Sequence, residues 1–141
     1  MSIGGPTDLA TLIESFPPYW VDLSNWYEFV GNPKVAADRA EMTERSPLAH
    51  ARDIAQPVLL IHGARDVRVR LDQSQRMEQA LRAAGKPVRL VTIAEMGHVP
   101  SYWAHQQQTL RETESFFHDC LGGRAVKVEP FDWFAWIWTR I

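Results

Sequence analysis

The chain has 141 residues, one domain's worth and long enough to bury a real core. Its formal net charge of −2 gives no electrostatic case for nucleic acid or anionic membrane, and no stretch approaches the ~20 apolar residues of a membrane span. The single cysteine, Cys120, allows no internal disulfide and points to a reducing, cytoplasmic compartment; Met1-Ser2-Ile3-Gly4-Gly5-Pro6 has neither the basic nor the apolar region of a signal peptide.

From Thr7 to Ser15, Leu9, Leu12 and Ile13 recur at helical spacing, with Thr7 expected as the N-cap. Phe16-Pro17-Pro18 ends that segment. Trp20 to Val30 carries Leu23, Trp26, Tyr27 and Val30 on one helical face, and Gly31-Asn32-Pro33 signals a turn. Lys34 to Glu44 reads as a polar, mostly exposed helix. Pro47 opens a short helical turn that runs to Asp53. The character then changes. Pro57 to Gly63 is a continuous apolar run closed by glycine, which suits a strand covered on both faces of a parallel sheet. Asp72 to Ala84 is amphipathic, with Met77, Ala80 and Leu81 on one face, and Gly85 terminates it. Val88 to Ile93 alternates as a second strand. Trp103 to Cys120 is a long helix, with Leu110, Thr113, Phe116 and Phe117 expected inward and Gly122-Gly123 as its stop.

Strand, helix, strand, helix from Val58 onward is a right-handed parallel βαβ unit of an α/β fold. Two strands are too few to cover each other's faces, so the chain reads as part of a sheet. Asp66 follows the first strand and His98 follows the second. Both therefore fall at the carboxyl edge, where open α/β sheets build their sites. Strands about 4.8 Å apart can bring a carboxylate to an imidazole. Such a contact fixes the imidazole tautomer and leaves the second ring nitrogen as a general base.

At these residues the sequence resembles a known family. Arg45-Ser46-Pro47-Leu48, Ile54 to Gly63, Asp66 with Val69, Ala84-Gly85-Lys86-Pro87-Val88, Gly97-His98, and Phe116-Phe117 with Leu121-Gly122-Gly123 follow the order and spacing of the catalytic domain of prolyl oligopeptidase-type serine peptidases. Ser2 to Leu9 with Pro17 to Trp20 is similar to a bacterial branch of the same family. The resemblance spans about residues 1–124. It implies a partial α/β-hydrolase fold, with a parallel βαβ core flanked by helices and without the N-terminal strands. It also implies Asp66 as the acid and His98 as the base of a triad whose chain order is serine, acid, histidine.

Two departures accompany the resemblance. The family's nucleophile elbow, Gly-x-Ser-x-Gly-Gly at a strand-to-helix turn, is absent, and with it the oxyanion hole. Met1-Ser2-Ile3-Gly4-Gly5 is its sole imitation, without the preceding glycine or strand, and the segment after it lacks the strand that should come before that of Asp66. After Arg124 the tail no longer resembles the family. Phe131 to Trp138 places Phe131, Trp133 and Ile137 on one face at period two, with Phe134, Trp136 and Trp138 on the other. Residues 125–141 are thus expected to pack over uncovered core or to join copies of the chain, and an exposed sheet edge would add to this.

His62 reads as a strand-end residue packed near the site. His50, His105 and His118 read as surface or helix histidines without metal-ligand spacing, and Cys120 as an unactivated thiol. Arg65, Arg68 and Arg70 read as solvated charge around Asp66. No cofactor or metal is implied. The expected activity is hydrolysis of peptide or ester bonds once a nucleophile-bearing segment completes the site, with little activity in this chain alone. The competing expectation is a non-catalytic module acting through oligomerisation or partner binding.

Overall fold

The computed structural model describes residues 1–17, 19–20 and 22–123. Its centre is a three-stranded parallel sheet in the order β1 (Ser2–Ile3), β2 (Val58–Gly63), β3 (Val88–Ile93). Ser2 pairs with Leu60 and Ile3 with Ile61; on the other side, Val58 pairs with Val88 and the register continues to Gly63 with Ile93. The aromatic tail lies outside the described residues.

β2 is apolar from Val58 to Ile61 because it is covered on both faces. Leu60 meets Ala51, Met77 and Leu81, while Leu59 and Ile61 meet Ile93 and Met96, with Val91 and Phe116 packed beside them. The first cluster belongs to α4 (Asp72–Ala83) and the 3₁₀ helix Pro47–Asp53; Phe116 comes from α5 (Trp103–Leu121) on the opposite face. Each fully buried Leu or Ile contributes about 1.5–3 kcal/mol. α1 (Leu9–Glu14), α2 (Ser24–Phe29) and α3 (Ala36–Arg45) surround a third cluster of Ala10, Ile13 and Met42, with Tyr27 and Val30 against it. Phe16 closes its rim, with its ring 4.7 Å from Trp20 and 4.9 Å from Trp26.

Among the described residues, the segment between Gly5 and β2 holds helices and no strand, as expected. Three features depart from expectation. Ser2–Ile3, not read as a strand, is one: β1 is too short to show a period, and pairing with β2 is what makes it a strand. Thr7 is not the cap of α1. Asp8 is, accepting from Thr11 N at 3.2 Å, while the Thr7 hydroxyl donates to the Gln73 carbonyl at 2.7 Å. On α5 the inward face is turned from the one expected. Thr109 is buried and Phe116 packs on the sheet, whereas Leu110 and Phe117 face solvent.

The β1–α1 junction is fastened to α4 by polar contacts. Gln73 Oε1 accepts from Thr7 N at 3.0 Å and Asp8 N at 2.8 Å. Arg76 reaches Asp8 at 3.0 Å, Thr11 at 2.7 Å and Asp72 at 3.0 Å. This clamp holds the end of β1 at the carboxyl edge of the sheet.

Candidate active site

The strand ends generate the site. β2 stops at Gly63, and the following turn carries Asp66 under the sheet edge. Its Oδ1 accepts from the backbone N–H of Arg68 and of Val69, each at 2.9 Å. Its Oδ2 accepts from His98 Nδ1 at 2.8 Å. The Asp66 side chain is wholly buried, while that of His98 is 34% exposed. A carboxylate oxygen only accepts, so Nδ1 carries the proton. Nε2 is left as the acceptor, and no hydrogen bond to it is found among the described residues. A buried carboxylate with three donors, holding an imidazole whose free nitrogen is at the rim, can orient a general base and stabilise its protonated form.

Gly63 makes this contact sterically possible, and Gly4 is called for by its backbone conformation. A β-carbon on Gly63 would lie 2.2 Å from the Gly97 carbonyl oxygen and 2.3 Å from that of Met96, so only a glycine lets β2 run this close to the His98 loop. Gly4, at the end of β1 with φ +55°, sits over the pair: its absent β-carbon would be 3.5 Å from both Asp66 Oδ2 and His98 Nδ1. The Asp66 and His98 loops are further joined by Arg65 N to Met96 O at 2.9 Å and by an exposed Arg65–Glu95 ion pair at 2.5 Å.

His62 lies beneath. It is fully buried, with Nδ1 2.7 Å from Ser74 Oγ, Nε2 2.8 Å from the Val69 carbonyl oxygen and 3.4 Å from Asp66 Oδ2. Sequence reasoning placed it near the site without seeing this double contact with the Asp66 turn. It overlooked Gly4 as well, grouping it with an imitation elbow. Ser2 is not at a strand-to-helix turn; it lies inside β1, opposite Leu60.

The remaining candidates are dispersed. Arg68 and Cys120 are exposed, and Arg70 lies 3.8 Å from Asp72. His50 bonds the Glu44 carbonyl and His118 that of Gly123. Among the described residues no group of three histidine, cysteine or carboxylate side chains converges as metal ligands would. No described helix is long and apolar enough to cross a membrane.

Comparison with known proteins bears on the same segment. The family model described as "Prolyl oligopeptidase family" matches residues 11–124, most of the chain. The chain belongs to the prolyl oligopeptidase family. Within it, the chain is similar to dipeptidyl aminopeptidase BIII of Pseudoxanthomonas mexicana, with 36% identity over 89% of this chain and 18% of that protein. It is also similar to dipeptidyl peptidase family member 6 of Caenorhabditis elegans, at 29% identity over 92% of this chain and 18% of that one. Among solved structures, a puromycin-hydrolyzing peptidase of Mycobacterium tuberculosis superposes with a TM-score of 0.77 at 29% identity, covering 91% of this chain and 19% of the other. The acylaminoacyl peptidase of Pyrococcus horikoshii gives 0.69 at 23% identity over 90% of this chain and 20% of that one, a likeness of fold. This prolyl oligopeptidase-family chain therefore spans under a fifth of the length of these two peptidase relatives, and it is a partial α/β-hydrolase fold.

Proposed function

We propose that this chain supplies the acid–base half of a serine-peptidase site. His98 is the general base and Asp66 the group that orients it. The observation that carries the reading is the 2.8 Å contact from His98 Nδ1 to a buried, doubly amide-bonded Asp66, with Nε2 left over. In the proposed reaction His98 Nε2 takes the proton of a serine hydroxyl as its oxygen attacks an acyl carbon. It then returns that proton to the departing amine or alcohol. Asp66 stays ionised and stabilises the imidazolium between the two transfers. None of the seven serines of the sequence stands in Gly-x-Ser-x-Gly, and in this reading the nucleophile and the oxyanion donors are supplied by a segment outside these 141 residues. The substrate class is a peptide or an ester.

The test joins the chain to the elbow-bearing N-terminal part of the catalytic domain of a relative such as dipeptidyl aminopeptidase BIII. Turnover of peptide p-nitroanilides and labelling by a fluorophosphonate probe are then followed. The joined protein turns over substrate and takes the label; the chain alone does neither. His98→Ala lowers turnover of the joined protein by about 10³–10⁶-fold. Equal turnover with and without His98 would rule the reading out.

A second reading is favoured by α5. Trp103, Leu110, Phe117 and Leu121 are exposed and follow one another along one side of the helix. We propose that this stripe associates with another copy of the chain or with the completing segment. Light scattering on the chain with and without residues 126–141 tests whether the tail takes part. An unchanged monomer in both cases excludes self-association.

A further inference from the structure

His62 carries chemistry that the acid–base reading does not use. Its imidazole is fully buried at the end of β2, and both ring nitrogens have committed partners. The Val69 carbonyl can only accept, so Nε2 carries the hydrogen and donates to it at 2.8 Å. Nδ1 is then an acceptor, filled by the Ser74 hydroxyl at 2.7 Å. One donor and one acceptor are what a neutral imidazole possesses, so the ring is satisfied and its rotation is fixed.

The two partners differ in consequence. Ser74 belongs to α4, whose Met77 and Leu81 pack on the sheet. Val69 belongs to the turn whose amides at Arg68 and Val69 grip Asp66 Oδ1. The Nε2–H that holds Val69 also lies 3.4 Å from Asp66 Oδ2, the oxygen that receives His98. His62 thus ties the carboxylate's turn to the helix through a ring that has no second orientation available.

We infer that His62 is a positioning residue for the Asp66–His98 pair, locking the Asp66 turn through Nε2 so that Oδ2 faces His98 Nδ1. This rests on the acid–base reading above. A histidine that only filled space at the strand end would be replaceable by an apolar side chain of similar size without any change at His98.

The experiment reads the tautomer of His98 in the ¹⁵N-labelled full chain by long-range ¹H–¹⁵N correlation at about pH 9, above the ordinary imidazole range. In the wild type His98 is the Nδ1–H tautomer. In His62→Leu, which has no donor, it reverts to the Nε2–H form that a free imidazole side chain favours. His62→Asn, which reaches Ser74 but not Val69, does the same and provides a polar control should the leucine variant fail to fold. His62→Gln, whose amide nitrogen takes the place of Nε2, restores the Nδ1–H form. An Nδ1–H His98 in a folded His62→Leu or His62→Asn chain overturns the inference while leaving the acid–base reading intact, as does failure of His62→Gln to rescue. An Nε2–H His98 already in the wild type overturns both.

Discussion

At the residue scale the site depends on atoms that are absent as much as on those present. Gly63→Ala forces a methyl group into two backbone carbonyls that have no rotamer to escape through. We expect a loss of about 1–3 kcal/mol of stability, read by urea unfolding. The His98 resonances should shift with it, because Gly97 is one of the obstructing residues. Asp66→Asn keeps an oxygen for the amides of Arg68 and Val69 but turns an NH₂ toward His98 Nδ1, which can no longer donate to it. The expected outcome is an Nε2–H His98 and, in the elbow-joined protein, a fall in turnover of at least about 10²-fold with substrate binding unchanged. Asp66 and His98 were legible in the sequence because each follows an apolar run that announces a strand end, and because the surrounding motifs resemble one family. Gly4 and the double role of His62 were not. Their partners are reached through a parallel pairing and a helix contact that no local pattern encodes.

At the element scale, the amphipathic helix α4 and the strand β3 lay open to periodicity and β2 to its unbroken apolar run, while β1 and the inward face of α5 did not show themselves. β1 has only two residues, and its identity is conferred by β2. On α5, phenylalanines at 116 and 117 sit on different sides, and composition alone could not say which one meets the sheet. The Gln73 clamp offers a test of what holds β1. Gln73→Ala leaves the buried amide of Thr7 and the neighbouring amide of Asp8 without their acceptor. The expected cost is about 2–4 kcal/mol. Hydrogen exchange should quicken at the Gly4 amide, which donates to Ile61 O, more than within the β2–β3 ladder.

His50 gives a pH prediction at the same scale. Its Nε2 donates to the Glu44 carbonyl in the last turn of α3 at 2.5 Å, and Asp53 lies 3.6 Å from Nδ1. The carbonyl bond, and after it Asp53, raises its pKa above 6.5 despite the opposing effect of desolvation. A folded pKa above the unfolded one means that the contact stabilises fully below pH 6.5 and is lost as pH rises through the folded value. Because the ring is exposed, the effect on melting temperature is small. An NMR titration of His50 against His50→Gln, with thermal melts on either side of that window, checks both the direction and the pH range.

At the scale of the whole molecule, the chain buries all of β2 but its first residue and leaves α5 with an apolar outer side. Leu110→Lys with Phe117→Lys should reduce association in light scattering without lowering stability, since neither residue belongs to the clusters that cover β2. A destabilised double variant would mean that these side chains are part of the core. The two pairings of β2 also differ in the chain they enclose. Val58 meets Val88 across one helix, whereas Ser2 meets Leu60 across nearly twice that span. Each doubling of a closed loop adds about 0.6 kcal/mol of entropy cost, so we expect the β2–α4–β3 unit to nucleate folding and β1 to dock late. On this expectation Asp66 and His98 meet as that unit closes, and Gly4 arrives over them afterwards. Core substitutions such as Leu60→Ala should therefore slow folding, while changes at Thr7 or Gln73 should chiefly hasten unfolding.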